Sequence, residues 1–369
     1  MEQGKCIEKF KKRLEMIDSA FFDKKIIGSD IEIWSFLGKD KDCFCFQMHR
    51  KICDTGRRFK LRDRPDELEK LLMPQFTKLS VFQFSDEEQD EIIRAGIILR
   101  YKDETMIIDQ SAIKTFAKCL GVGGDYIDIS SIYRNEYLSH QLYLNAATSM
   151  HLLGRGKRIM AVMKENYKPI PQINLLEVAK IGKFSHYTIT EQETCMYLTF
   201  PEIKERLECE YPIYSIEPGV CVRIGNLGDT ALIAQEIYLM NGGVIIGSER
   251  VSAKHTKNFS IEKFIESIKN DIFPRYKRFY ATFYSRSKLV LYKEQALDIY
   301  ERVLRKPMGT AVFDKQFLAN IKLSNICTAS EAVEAAIMAT KKLEVADYVR
   351  PKMSAAFLEL LKNIDLEAV

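Results

Sequence analysis

In the second half of this chain the apolar pattern passes from a period of two to a helical period, and that change constrains its architecture more than any other feature. From Arg158 to Ile246 short runs alternate apolar and polar residues, at Arg158–Met163, Phe184–Ile189, Thr194–Phe200, Val220–Ile224 and Ala231–Tyr238. Successive side chains of a strand point to opposite faces, so a period of two predicts strands. They follow one another without regular intervening helices, apart from a short one expected over Asn174–Ile181, and this favours a largely antiparallel sheet. After Ser260 the period lengthens, with Ile261, Phe264, Ile265 and Ile268 spaced as one face of a helix and Pro274 interrupting the run. Further helices are expected at Lys293–Leu304, Phe313–Ile321, Ser330–Leu343 and Pro351–Ile364. The expected fold class is therefore α+β, with a largely antiparallel central sheet and a helical C-terminal lobe.

Upstream, Ile7–Phe22 carries Phe10, Leu14 and Ile17 at helical spacing. Two hairpins follow in the reading: Ile31–Leu37 with Cys43–Met48 around Gly38–Asp42, and Gly96–Tyr101 with Met106–Ile108 around Lys102–Thr105. Asp109 or Ser111 is placed to cap a helix over Ala112–Leu120, which Gly121 and the Gly123-Gly124 pair end. Three regions are expected, 1–109, 110–259 and a basic 260–369.

A length of 369 residues suits two or three packed units. A composition of 46% hydrophobic and 29% charged residues excludes intrinsic disorder. No apolar run approaches the roughly 18–20 residues of a membrane helix, and the start lacks a signal-peptide stretch. The nine cysteines, an odd number, read as reduced thiols, which points to the cytoplasm. A net charge of +4 is too small to argue for nucleic acid by itself, so the distribution of charge decides.

Three stretches, in order, carry a family resemblance. They are Ser111–Gly121 followed by Tyr126, then Gly156–Ile170, then Val222–Leu232 continuing through Tyr238-Leu-Met-Asn-Gly-Gly243 to His255. Together, over roughly residues 110–260, the chain resembles the phage/plasmid-like protein family known as domain of unknown function 932. The chain departs from the family pattern at Met240, where the family often has Cys, and at Met163, where it has Ser, so neither residue type is essential to a shared activity here. The resemblance implies a phage or mobile-element setting, and with it the cytoplasm of a bacterial host cell, rather than a mechanism.

Positive charge is concentrated late in the chain, with 13 Lys/Arg against 6 Asp/Glu across residues 251–310. Within Pro274–Lys288, Arg275, Lys277, Arg278, Arg286 and Lys288 are interleaved with Tyr276, Phe279, Tyr280, Phe283 and Tyr284. Cations that neutralise phosphates beside aromatic faces that stack on unpaired bases form the chemistry of single-strand binding. The same spacing also describes a helix whose Tyr276, Phe279, Tyr280 and Phe283 face a core and whose cations face solvent. A second cluster, Arg155, Lys157 and Arg158 with Lys164 and Lys168, includes Gly154 and Gly156, yet lacks the spacing of a nucleotide-binding loop. His255, between Lys254 and Lys257, is a further phosphate-contact candidate, while Asn241-Gly242-Gly243 suits a tight hairpin turn.

Cys43, Cys45, His49 and Cys53 are soft-ligand types, but their alternation along a strand suits packing better than a tetrahedral zinc site, so no metal site is expected. No catalytic motif is present and no cofactor is implied. The leading expectation is a non-enzymatic protein that binds single-stranded nucleic acid in phage or plasmid replication or recombination, with strand annealing and homo-oligomer formation as extensions. The alternatives are an interaction role toward a phage or host protein, as an accessory virion component or enzyme inhibitor, and a metal-dependent nuclease whose carboxylates come from distant strands.

Overall fold

A computed structural model describes residues 2–48, 75–124, 127, 130–190, 193–225, 231–241, 243–343 and 349–364. The first half contains β1 (Glu2–Gly4), α1 (Ile7–Ala20), β2 (Phe21–Ile27), β3 (Ile31–Asp40), β4 (Cys43–Met48), β5 (Gln75–Ser80), α2 (Asp86–Ala95), β6 (Ile97–Tyr101), β7 (Glu104–Ile108), α3 (Gln110–Cys119), α4 (Ser131–Leu144), β8 (Ser149–Arg155) and β9 (Arg158–Lys164). Next come α5 (Leu175–Ala179), β10 (Lys183–Ile189), β11 (Glu193–Thr199), α6 (Pro201–Glu210), β12 (Ile216–Gly225), β13 (Leu232–Met240) and β14 (Gly243–Ala253). The C-terminal part holds α7 (Ile261–Ser267), α8 (Phe273–Ser287), β15 (Val290–Tyr292), α9 (Lys293–Met308), α10 (Thr310–Val312), α11 (Leu318–Asn320), β16 (Ile326–Thr328), α12 (Ala329–Lys341) and α13 (Val349–Ile364). The fold is α+β with a helical C-terminal region, and no described helix is long and apolar enough to cross a membrane.

The strands form two large sheets among the described residues, where the sequence pattern suggests one. An eight-stranded sheet runs β2-β8-β9-β7-β6-β3-β4-β5 and is antiparallel except between β7 and β9. The position expected as the end of the first region, residue 109, falls inside this sheet, because β7 pairs directly with β9. Both expected hairpins are present, β3 with β4 and β6 with β7, and they turn through positive φ at Lys41 and Lys102. Helices α3 and α4 cover one face through Ile113, Phe116, Leu138 and Leu142, while α2 contributes Ile92 to a separate cluster with Trp34, Phe44 and Phe46.

Two helices of this half escape the apolar pattern. Ser85 and Glu88 form a capping box at the start of α2, and Gly96 ends it at φ 69°. In α4 the inward face includes Arg134, Asn135 and Ser139, so burial does not track hydrophobicity. Asn135 donates to Ser35 Oγ at 2.9 Å and to the Gly96 carbonyl at 2.8 Å, which satisfies its amide away from water. The start of α3 also differs from expectation. Asp109 occupies the cap position without capping, because its carboxylate is turned to Arg158. The orphan N–H of Gln110 is taken by Glu91 of α2 at 2.7 Å.

The six-stranded sheet, β1-β10-β11-β12-β13-β14, is antiparallel throughout. One face packs under α1, α8, α9, α12 and α13 in a single cluster that includes Phe10, Val220, Tyr238, Tyr280, Tyr300 and Leu360. The helical region therefore shares its core with this sheet. The chain joins the two sheets twice: α1 connects β1 to β2, and the segment after β9 leads to β10. Asp18 of α1 accepts from the N–H groups of Gln172 and Ile173 at 2.8 and 2.9 Å, tying the two connections together.

Gly154 is required by close approach. The register slips between Leu153 and Gly154, and a Cβ at Gly154 would collide with the carbonyl oxygen of Arg158. Gly154→Ala is expected to cost about 1–3 kcal/mol, the range for overpacking a tight site. Urea denaturation of the variant measures this, and an unchanged midpoint would remove the steric argument.

Candidate nucleic-acid interface

Pro274 does not break the C-terminal helical run. It has no N–H to return to the preceding turn, and its ring crowds that turn. The helix responds by widening into a π turn over Ile268–Ile272, in which the Phe273 N–H reaches the carbonyl of Ile268, and α7 passes into α8 without a gap. This places Tyr276, Phe279, Tyr280 and Phe283 on the inward face, all buried.

Tyr276 and Tyr280 are fully buried, which corrects the expectation that they stack on bases. Their hydroxyls donate to sheet carbonyls, Tyr276 to Gly219 and Tyr280 to Ile216, both at 2.7 Å. Burial pushes both phenols up, so they remain donors. Phe279 stacks on Tyr238 of β13 with centroids 3.5 Å apart, and Tyr276 meets the same ring edge-on at 5.7 Å. The core-facing alternative for this stripe is the one the structure adopts.

The cations of α8 occupy the other side. Arg275 pairs with Glu249 at 2.9 Å and Lys277 with Glu210 at 2.7 Å, so part of their charge is neutralised within the chain. Arg278 and Lys288 are exposed, and Arg286 is half-buried. The Lys288 ammonium lies 4.6 Å from the centroid of the half-buried Tyr284, whose other neighbour is Tyr211. The exposed Lys277–Glu210 pair contributes little to stability, so Lys277 can exchange partners at low cost.

The second basic cluster sits on the eight-stranded sheet and is not joined to α8. Arg158 makes a bidentate pair with Asp109 at 3.0 and 3.1 Å, with Glu87 at 3.9 Å, and the Asp109 carboxylate raises the guanidinium's affinity for its proton. Arg158 is thus a structural cation rather than a phosphate contact. Lys157 is exposed on the turn, where Gly156 adopts φ 56°. Arg155 is half-buried, and burial lowers its hold on the proton.

His255 belongs to the seam between the sheets. Its Nδ1 accepts from the Ile170 N–H at 3.1 Å, and its ring stacks on Tyr167 at 5.3 Å. The accepting Nδ1 and the ring face covered by Tyr167 give His255 a structural part in holding the Tyr167–Ile170 segment. Asn241 turns the chain between β13 and β14 at φ 49°, as its position before Gly242 suggests, although Gly242 lies outside the described residues.

Cys43 and Cys45 are half-exposed on β4 and alternate with the buried Phe44 and Phe46. His49 and Cys53 lie outside the described residues. Among the described residues no three His, Cys, Asp or Glu side chains converge as metal ligands. Comparisons with protein-family models, curated proteins and solved structures give no match to this chain.

Sequence reading misses a buried acid beneath α8. Glu236 is 4% exposed, with its carboxylate against Gly247, where a Cβ would collide with it. It accepts from the Tyr238 hydroxyl and, at 3.0 Å, from the Glu249 N–H. A usable signal is present, since Leu232, Ala234, Tyr238 and Met240 are the inward positions of β13 and Glu236 shares their parity.

Phe283, 1% exposed, should lose about 3–5 kcal/mol of stability on replacement by Ala, and a fully folded variant with wild-type urea midpoint would return the stripe to the surface. For Glu236, burial raises the carboxyl above its ordinary value, against the opposing pull of Tyr238, the Glu249 N–H and Arg275. The folded chain then holds a proton that the unfolded chain releases. That contribution is fully present below the ordinary glutamate value and is lost as pH rises through the raised folded value. Glu236→Gln should flatten the pH dependence of the denaturation midpoint across that window, whereas parallel curves for wild type and variant would exclude a buried protonated carboxyl.

Proposed function

We propose that the chain is a non-enzymatic nucleic-acid-binding protein that holds single strands mainly through their phosphates. The observation that carries this reading is the outer side of α8. There Arg278 and Lys288 stand exposed on a helix whose other face is anchored in the core, within a segment of strong positive surplus. A helix held by buried aromatics presents its cations from a rigid base, so little order is lost when a backbone lies along it. Lys157 adds a second exposed cation on the eight-stranded sheet.

Because Tyr276 and Tyr280 are in the core, affinity on this reading comes from charge, and binding is largely indifferent to sequence. Tyr284, beneath Lys288, supplies an aromatic edge that favours unpaired bases over duplex. The setting, replication or recombination of a phage or mobile element in a bacterial cytoplasm with strand annealing as the extended role, rests on the resemblance of residues 110–260 and not on the geometry of α8.

A second reading, docking to a phage or host protein, is favoured by the ribbon of β15 and β16. Tyr292 and Ile326 are cross-strand partners, 48% and 58% exposed, with Val290 at 44% on the same face. Exposed Tyr beside aliphatic groups is a usual ingredient of protein-binding hot spots.

Titrating labelled single-stranded oligonucleotides at several salt concentrations separates the two. On the nucleic-acid reading log affinity falls linearly with log salt, with a slope of about 0.7 per phosphate neutralised. Arg278→Gln with Lys288→Gln should weaken binding across sequences and make the slope shallower, with stability changed by no more than about half a kcal/mol. No binding by the wild-type chain at low salt would reject this function in favour of the interaction role.

A further inference from the structure

The positive surplus does not end with α8. Arg302, Arg305 and Lys306 follow near the end of α9, and positions 302, 305, 306 and 309 are spaced i, i+3, i+4, i+7 along one side of that helix. These four residues line a concavity of about 400 Å³ that Glu301 and Thr310 complete. Its shape is set by the backbone: Gly309, at φ 85°, bends the chain from α9 into α10, and nothing lies within 4 Å of where a Cβ would stand. The volume falls within the roughly 300–1,000 Å³ range of ligand sites.

The lining carries three cations against one carboxylate. That carboxylate, Glu301, is engaged with Arg305, which also pairs with Asp314 at 3.1 Å. The two pairings fix Arg305 and spend its charge on Glu301 and Asp314, so the charge left for an incoming anion is that of Arg302 and Lys306. Arg302, whose Nε reaches the Asp298 carbonyl at 3.4 Å, and Lys306 are exposed on either side of Arg305. A guanidinium offers planar paired donors and an ammonium a compact point charge, the combination that suits phosphate oxygens entering a recess.

We infer that this recess is a phosphate subsite, taking a backbone phosphate of the bound strand at a place separate from α8. The inference rests on the nucleic-acid reading above and adds to it a second point of attachment.

The test uses the full chain and two probes: sodium tripolyphosphate, which has neither base nor sugar, followed by calorimetry, and a labelled oligothymidylate, followed by anisotropy. Arg302→Gln with Lys306→Gln should weaken tripolyphosphate binding at least about tenfold and make the oligothymidylate salt slope shallower by about 0.7 for each phosphate no longer neutralised. The charge-preserving pair Arg302→Lys with Lys306→Arg should keep both affinities within about threefold and guards against a folding defect in the Gln variant. If the wild-type chain binds oligothymidylate and the Gln variant, with an unchanged melting curve, binds both probes equally well, the recess is not the subsite and the nucleic-acid reading survives. Failure of the wild-type chain to bind oligothymidylate overturns both together.

Discussion

The hydroxyls of Tyr276 and Tyr280 can be buried only if each finds an acceptor, and that requirement fixes how the C-terminal half sits on the six-stranded sheet. Each phenol reaches a carbonyl of β12, at Gly219 and Ile216, so α8 has one rotation about its own axis that satisfies both. A purely aliphatic stripe would tolerate some rolling of the helix. Once the rotation is set, the cations at 275, 277, 278 and 288 are outside by necessity. The proposed binding face is thus a consequence of core chemistry, and its rigidity comes from the same aromatic side chains that cannot themselves reach a ligand.

The buried acid beneath α8 belongs to the same arrangement. Glu236 rests against Gly247 and receives the Tyr238 hydroxyl, while the ring of Tyr238 stacks on Phe279. The register between β13 and β14 slips at this point, and Glu236 receives the Glu249 N–H across the slip. Arg275 then pairs with Glu249 at the surface. A polar thread therefore runs from the core of the sheet to a cation of the proposed face, and each of its members has a partner.

The two sheets meet through polar contacts of a different kind. Asp18 holds the Gln172 and Ile173 amides, and His255 holds that of Ile170 while covering Tyr167. Backbone amides are the common element of these contacts, and Tyr167 adds apolar packing against Leu153 and Ala161 of the eight-stranded sheet. This explains why His255, which stands among lysines in the sequence, is occupied with structure.

Where side-chain period and side-chain burial agree, the sequence alone was sufficient. The hairpins at β3–β4 and β6–β7, the strands β9 to β13 and the helices after Ser260 bury most of their apolar positions, so a local pattern carried their identity even where single polar residues such as Glu236 turn inward. The aromatic stripe of α8 was equally visible, but a stripe of Tyr and Phe has the same spacing whether it faces a core or a base. Only the sheet beneath it decided, through its carbonyl acceptors. Helix α4 stayed hidden because its inward face holds Arg134 and Asn135, whose partners Ser35, Ala95 and Gly96 are distant in sequence. Asp109 looked like a cap, and became the partner of Arg158 because the parallel pairing of β7 and β9 brings that guanidinium beside it. What could be read without the fold were those elements whose period matches their burial, since period is a property of neighbouring residues. Partners belong to tertiary structure, because hydrogen-bond acceptors and counter-charges arrive from elsewhere in the chain and cannot be read from the residue that needs them.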